Sequence, residues 1–318
     1  MTPTLPKVLT IILNYNTWEL TAACLASLTH TRSVANTIIV VDNGSRNDSV
    51  AQLMHWNYGP PPAPLPVHQS LRQLTEALPG HSIAQLESRE PHLPSGTFLI
   101  ACDENRGFSG GNNAALGWVN ANDYDCIWFL NNDTLVDPHA LQNKLDDMHA
   151  NPSVGMVAPV LRHMHHPSAI QTIGGTINQW LGTTTNICNL STPVDYLCGA
   201  SVLLSQRCFS QVGTWDEQFF LNYEDADLSY RVKAKGFDIG ICKSAIVYHK
   251  ESATFNAELK CGNDMVEQSR LMSRKKFAKK YQLSQIGVRV GFLLSALVRI
   301  RRKQFALAWF ALRLAFDK

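Results

Sequence analysis

Leu9-Thr10-Ile11-Ile12-Leu13-Asn14-Tyr15-Asn16 is the stretch on which the fold turns. Its first five residues are apolar or β-branched and its last three are polar, which predicts a buried strand opening into a loop. Residues 17–28 then carry helical spacing, with Leu20, Ala23 or Cys24, and Leu28 on one face. The succession recurs. Ile38-Ile39-Val40-Val41 stops at Asp42-Asn43-Gly44-Ser45; an apolar run at 97–101 leads to a glycine-rich turn and a helix from about Asn112. The run at 126–130 ends in Asn131-Asn132-Asp133, with a helix near 138–149. Strand, loop and helix in this repetition predict an α/β fold around a parallel, doubly wound sheet. Ligands bind such sheets at the carboxyl ends of the strands. Here those ends carry Asn14, Asp42, Asn105 and Asp133.

The 318 residues are 45% hydrophobic and 17% charged, enough for a packed core in one large or two ordinary domains and too apolar for general disorder. The formal net charge of +2 sums two unlike parts. Residues 270–318 hold 13 Lys/Arg against the single acid Asp317, a net +12. Residues 1–269 hold 15 Lys/Arg against 25 acids, a net −10. The acidic body predicts no nucleic-acid partner. Eight cysteines occur (Cys24, Cys102, Cys126, Cys188, Cys198, Cys208, Cys242 and Cys261), none spaced as CxxC. They read as buried free thiols in a reducing compartment. The N-terminal residues lack a charged segment followed by a long apolar run, so no signal peptide is expected and the cytoplasm is the expected place.

Residues 57–95 interrupt the pattern. Gly59-Pro60-Pro61-Pro62-Ala63-Pro64-Leu65-Pro66 suits neither a helix nor a central strand, and reads as a surface excursion with a short helix around 71–78. Arg162-His163-Met164-His165-His166-Pro167 holds three histidines without a carboxylate and reads as a solvated loop. Further on, Leu197-Cys198-Gly199-Ala200-Ser201-Val202-Leu203-Leu204 predicts a strand with a small-residue kink. Asn222-Tyr223-Glu224-Asp225-Ala226-Asp227 opens a helix that Gly236 stops. Ala245-Ile246-Val247-Tyr248 predicts a strand delivering His249, with Ser252 and Thr254 beyond it.

Four of these features carry chemistry. Asp42 at a strand end can accept from a base N–H or a ribose hydroxyl, although Asp-Asn-Gly-Ser is also ordinary turn chemistry. In Asn105-Arg106-Gly107-Phe108-Ser109-Gly110-Gly111-Asn112-Asn113, three glycines allow close backbone approach to a ligand ahead of a helix N-terminus that favours phosphate. Asn131, Asn132 and Asp133 supply oxygen ligands of the kind Mg²⁺ or Mn²⁺ shares with substrate phosphates. The acids Glu224, Asp225 and Asp227 offer a general base for a hydroxyl nucleophile, and equally an N-terminal cap with an Asp227–Arg231 pair.

As an ordered set, Asn14-Tyr15-Asn16, Asp42-Asn43-Gly44-Ser45, residues 105–113, Asn131-Asn132-Asp133, Gly199-Ala200, Glu224-Asp225-Ala226-Asp227-Leu228 with Arg231, and His249 resemble the family 2 glycosyltransferases of GT-A fold, in their rhamnosyltransferase-like branch. The resemblance covers roughly residues 7–255. It implies an inverting transferase that uses a nucleotide-diphospho-sugar and a divalent cation. By position, Asp42 would contact the nucleoside, and Asn14, Asn16, Asn43, Asn105, Gly107, Gly110, Gly111, Asn113 and Asn132 would belong with it to the donor-binding set. Asn131 to Asp133 would occupy the DXD metal site, Asp225 with Glu224 would provide the base, and His249 would be a further metal ligand. The chain departs from the pattern twice. Only the last acid of the metal motif is kept, which implies weaker affinity and a water-mediated first ligand, and the 57–95 insertion is longer than the branch carries.

The expected organisation is a catalytic domain over 1–260 and a basic amphipathic tail over 261–318. The tail reads as a basic helix at 265–281 and two apolar segments at 288–300 and 305–316, broken by Arg289 and Arg299-Ile300-Arg301-Arg302-Lys303 into pieces too short to span a bilayer. Such segments suit an anionic inner leaflet or a helical pair packed on the body. With the family resemblance, the expectation is a saccharide or lipid-linked acceptor, cell-surface polysaccharide synthesis, and residence at the inner face of the cell membrane. A nucleotidyltransferase or other nucleotide-binding α/β enzyme, or a non-catalytic sugar-nucleotide binder, is the alternative.

Overall fold

The apolar run at 9–13 lies mid-sheet as β1 (Lys7–Asn14), wholly buried at Val8, Leu9, Ile11 and Ile12. The computed structural model describes residues 5–31, 35–61, 66–90, 92–250 and 264–317; residues 62–65 of the proline-rich run, Ser252, Thr254 and Cys261 lie outside these. Strands β2 (Ala35–Asp42), β3 (Ile83–Gln85), β4 (Gly96–Ala101) and β5 (Cys126–Asn131) follow, then β6 (Thr134–Val136), β7 (Val154–His163) and β8 (Ile170–Thr172). Next come β9 (Gly174–Ile177), β10 (Thr184–Ile187), β11 (Ser201–Ser205) and β12 (Asp238–His249). The sheet order is β3-β4-β2-β1-β5-β11-β7-β12-β6, with β8 beside β7 and β9–β10 a separate hairpin. From β3 to β5 the strands run parallel, as does the β7–β12 pair, whereas β11 runs antiparallel to both neighbours. The result is a mostly parallel mixed sheet.

Alternate residues of the strands serve two cores, because a parallel sheet is covered on both faces. Val8, Ile12, Val40 and Trp128 face α1 (Trp18–Thr29), α2 (Ser49–Trp56) and α4 (Ala140–Ala150). Leu9, Ile11, Val41 and Phe129 face α3 (Gly107–Leu116), α5 (Gln206–Val212) and α6 (Glu224–Ala234). The C-terminal helices α7 (Asp264–Lys280), α8 (Gln285–Arg301) and α9 (Phe305–Phe316) build a third cluster, in which Phe277 and Phe292 meet Ile177, Phe219 and Tyr223 of the body. Gly287 lets α8 press against the 178–183 segment, where a Cβ would strike the Trp180 carbonyl.

Several local expectations shift. The helix after the glycine-rich turn starts at Gly107 rather than near Asn112, so Gly110 and Gly111 are helical. A β-carbon on Gly111 would lie 2.5 Å from Leu13 Cδ1, so that glycine serves helix–sheet packing. The 57–95 excursion docks Leu71 and Leu74 through a 3₁₀ turn, Gln69–Thr75, and adds the edge strand β3. The kinked strand at 197–204 is reduced to β11, and β12 begins seven residues before Ala245. Strand β7 was not anticipated, because Pro159 argues against a central strand. It is tolerated because the β11 ladder reaches only Met156 and Val157, and pairing with β12 breaks between Cys242 and Ile246. The seven described cysteines are free, and burial pushes the Cys24, Cys126 and Cys208 thiols up to about 12.

Candidate active site

Parallel pairing sets the ends of neighbouring strands side by side: Asn14 pairs with Asp42, and Leu13 with Asn131. Asn14 is wholly buried, donating from Nδ2 to Asp42 Oδ2 at 2.7 Å and accepting from Thr21 Oγ1 at 2.7 Å. Asp42 also accepts from Ser45 N at 2.9 Å and Ser45 Oγ at 2.6 Å. Asn132 Nδ2 donates to Thr17 Oγ1 and Thr21 Oγ1, both at 2.9 Å. Asn16, at φ +57°, accepts from Arg46 N at 2.8 Å. These side chains spend their polar atoms on one another, which fixes where the strand ends stop.

Asn43 ties this group to the glycine-rich segment, donating to Asn105 Oδ1 and the Gly107 carbonyl and accepting from Arg106 N, each at 3.0 Å. Gly107 has φ +70°, and a Cβ there would sit 2.5 Å from Phe220, so only glycine fits. Asn113 Nδ2 donates to the Trp215 carbonyl and Glu217 Oε1, and its Oδ1 accepts from Trp215 N. Helix α3 therefore holds the segment leading into α6.

Asn43, Asn105, Gly107, Asn131, Asn132, Asp133, Glu224, Asp225 and His249 all line one pocket of about 300 Å³. Asn14, Asn16, Asp42, Gly110, Gly111 and Asn113 sit in the structure around it. At one end, His249 Nε2 lies 3.2 Å from Asp133 Oδ1, with side-chain exposures of 13% and 7%. His249 Nδ1 lies 2.9 Å from Gln171 Oε1, a contact that fixes the orientation of the ring and keeps Nε2 toward Asp133. A carboxylate and an imidazole nitrogen set side by side can share a cation once the ring is neutral. An oxygen and an imidazole suit Mn²⁺ better than Mg²⁺, which prefers an all-oxygen set; phosphate and water would supply the remaining ligands. Among the described residues no group of three or more His, Cys, Asp and Glu could hold a metal by itself. Gln171, 78 residues from His249, carried no signal in the sequence.

On another wall, the α6 N-terminus presents Glu224 and Asp225. Asp225 accepts from Ala226 N at 2.8 Å and Gly199 N at 3.3 Å. Burial nevertheless pushes its carboxyl up to about 6, against those two N–H groups. Glu224 is raised well above the usual carboxylate range, first by burial and then by the charge of Asp225. Glu224 Oε2 and Asn222 Nδ2 are buried in this wall without hydrogen-bond partners, capacity that a polar ligand can use. Asn222 and Tyr223 are successive left-handed residues, φ +66° and +69°, and Tyr223 OH is anchored on the Gly182 carbonyl at 2.7 Å. Strain of this kind, about 1–3 kcal/mol per residue, collects where a site needs an unusual approach. Asp227 points away from the pocket into a set formed by Arg231 Nε at 2.8 Å, Tyr281 OH at 2.7 Å and Lys280.

Residues 94–261 match the family described as glycosyltransferase like family 2. The low-salt glycan biosynthesis hexosyltransferase Agl10 of Haloferax volcanii is 26% identical over 154 residues, 46% of this chain and 50% of its own. An N-acetylglucosaminyl-diphospho-decaprenol L-rhamnosyltransferase of Mycobacterium tuberculosis is 28% identical over 156 residues, 43% of this chain and 50% of its own. The chain spans about half the length of the curated relatives it matches. Among solved structures, S. aureus TarS 1–349 has a TM-score of 0.52 at 10% identity, covering 96% of this chain and 90% of that one. The same fragment in complex with UDP has a TM-score of 0.51 at 10% identity, covering 98% and 88%. At that identity the likeness is one of fold, the GT-A-like arrangement of a mostly parallel sheet flanked by helices. With the family match extending over more than half of its length, the chain belongs to the glycosyltransferase-like family 2.

Proposed function

We propose that the chain transfers a sugar from a nucleotide-diphospho-sugar to a hydroxyl of a saccharide or lipid-linked saccharide, inverting the anomeric carbon. The observation that carries this reading is a buried carboxyl, raised to about 6, in the same pocket as the Asp133–His249 pair. A group with that value is ionised at neutral pH and still basic enough to accept a hydroxyl proton. Asp225 takes the acceptor's proton as its oxygen attacks the anomeric carbon. The anomeric C–O bond breaks, and its electron pair leaves on the nucleoside diphosphate. One in-line displacement inverts the centre. Burial and the charge of Asp225 push the Glu224 carboxyl toward its neutral form, which lowers the negative charge beside the donor. Asn43, Asn105, Gly107 and Asn132 line the donor side, and Asn14, Asn16 and Asp42 hold its shape at the nucleoside end. Gly110, Gly111 and Asn113 set α3 against the sheet.

Mg²⁺ or Mn²⁺ held by Asp133 and His249, with Asn131 reached through water, would neutralise the charge developing on the departing diphosphate. Rhamnose is the first sugar to test, because one relative is by name an L-rhamnosyltransferase acting on a decaprenol-linked diphosphate. Thermal shift against thymidine and uridine diphospho-sugars, with and without Mn²⁺, tests the donor assignment. Donor stabilisation should need Mn²⁺ and be lost in Asp133→Ala and His249→Ala. Absence of both stabilisation and donor hydrolysis across that panel would sink the transferase reading.

The same reading assigns residues 1–260 to catalysis and 261–318 to a peripheral membrane contact at the inner face of the cell membrane, serving polysaccharide synthesis. It is supported by Ile286, Leu297, Phe305, Trp309 and Phe316, all more than 60% exposed, beside Arg289, Arg301, Arg302 and Lys303. No described helix is long and apolar enough to cross a membrane.

A further inference from the structure

A second cavity, of about 650 Å³, lies between α7, α8 and the segment around Leu181 and Thr183. Its walls carry three guanidinium groups, Arg270 on α7, Arg299 on α8 and Arg302 just beyond it, against one carboxylate, Glu267. Glu267 Oε2 accepts from Arg270 Nη2 at 2.9 Å and also from Arg299 Nη2. One carboxylate between three guanidiniums leaves a net charge of about +2. Arg299 is 7% exposed and also donates from Nη1 to the Ser295 carbonyl at 3.2 Å, but its Nε is buried without a hydrogen-bond partner. Among the described residues no carboxylate pairs with Arg302. A buried guanidinium N–H with no acceptor, in a cavity of excess positive charge, asks for an oxyanion of high charge density.

The rim is of another kind. Leu294 and Val298 line the cavity and are each about half exposed, and Leu297 on the same helix is 62% exposed. Cationic interior and apolar lip together describe an amphiphile with a phosphate head. We propose that this cavity binds the phosphate head group of an anionic lipid, its chains lying along Leu294, Leu297 and Val298. The proposal rests on the membrane contact described above and adds to it a phosphate-selective head-group site.

The test uses the full chain and vesicles of matched surface charge, whose anionic component is either phosphatidic acid or oleate. Wild-type protein should bind phosphatidic acid vesicles about tenfold better than oleate vesicles, because guanidinium forks match phosphate oxygens. The double variant Arg270→Gln/Arg302→Gln should lose that preference while still binding both. The double variant Arg301→Gln/Lys303→Gln removes equal charge outside the cavity; it should weaken both equally and keep the preference. If wild-type protein binds both vesicles equally well, or if both double variants keep the preference, the head-group site is wrong while the membrane contact stands. If wild-type protein binds neither, both fall. Pyrophosphate alone, raising the melting temperature of wild-type protein but not of Arg270→Gln/Arg302→Gln and without any vesicle preference, would reassign the cavity to a free phosphate and overturn the lipid.

Discussion

The pocket at the strand ends and the cavity among the C-terminal helices present opposite electrostatic situations. In the first, Glu224 and Asp225 are buried together with two backbone N–H groups on Asp225 and no cation paired with either, so both carboxyls are pushed up. In the second, three arginines face one glutamate, which only Arg270 and Arg299 reach. Body and tail meet at Asp227, two residues from Asp225 on α6, where Lys280 and Tyr281 of the tail join Arg231. Lys276 and Ser273 also reach the Gln218 and Leu221 carbonyls, in the segment that leads into α6. Within one helix turn, the acid that the tail reaches is paired with cations and the acid facing the pocket is held by backbone N–H groups alone. The tail thus supports the site without entering it.

The largest effect is expected at Asp225, the proposed base. Asp225→Asn should lower the transfer rate by about 10²–10⁴-fold with folding intact, measured as product formed per turnover time. Transfer within a few fold of wild type would end its assignment as base. The pH profile sharpens the same point. Asp225 must be ionised to act, so kcat/KM should fall about tenfold per pH unit below about 6 and level off above it. A profile flat from 5 to 7 would place the proton elsewhere.

Two smaller effects probe the contrast between the partnered and unpartnered acids. Lys280→Met leaves Asp227 with Arg231 and Tyr281 and also removes the Lys280–Asp216 pair. Because Lys280 keeps 31% of its side chain exposed, the loss should stay near 1–2 kcal/mol in denaturant unfolding, below that of a fully buried pair. An unchanged midpoint would mean that body and tail are independent at this contact. Glu224→Gln should act in the opposite sense. Its carboxyl is raised in the folded state, so the stability it permits is intact below the ordinary carboxylate range and lost as pH rises. The variant escapes that loss: it should match wild type near pH 4 and gain about 1 kcal/mol toward neutrality. A variant less stable at pH 7 would show that Glu224 is satisfied rather than strained.

Legibility followed the range of the physics. The runs at 9–13, 38–41, 97–101 and 126–130 announced strands because burial on both faces demands continuous apolar residues. The acids at 224–227 announced a helix start, since charge there favours the dipole. Asn14 and Asn132 could not be told from ligand contacts, because a polar side chain at a strand end faces either a neighbour or a substrate. Their partners Thr17, Thr21 and Asp42 come from other loops and helices. The glycines at 110 and 111 suggested a phosphate turn, whereas the close approach of Leu13 and Asn43 makes Gly111 a packing residue. β7 is not legible in the sequence, since Pro159 is foreign to an ordinary central strand and only the interrupted pairing on both sides admits it.

By itself the sequence determined the alternation of strands and helices, the polar character of the strand ends, and the division into an acidic body and a basic tail. Each depends on residue type and short spacing, which the chain carries locally. Tertiary structure alone decided that His249 meets Asp133 with Gln171 behind it, and that Asp225 is left without a cation while Asp227 is given one. It also decided that Arg270, Arg299 and Arg302 converge on one cavity. These outcomes depend on distances between residues tens of positions apart, and burial at those distances fixes the charge each group can hold.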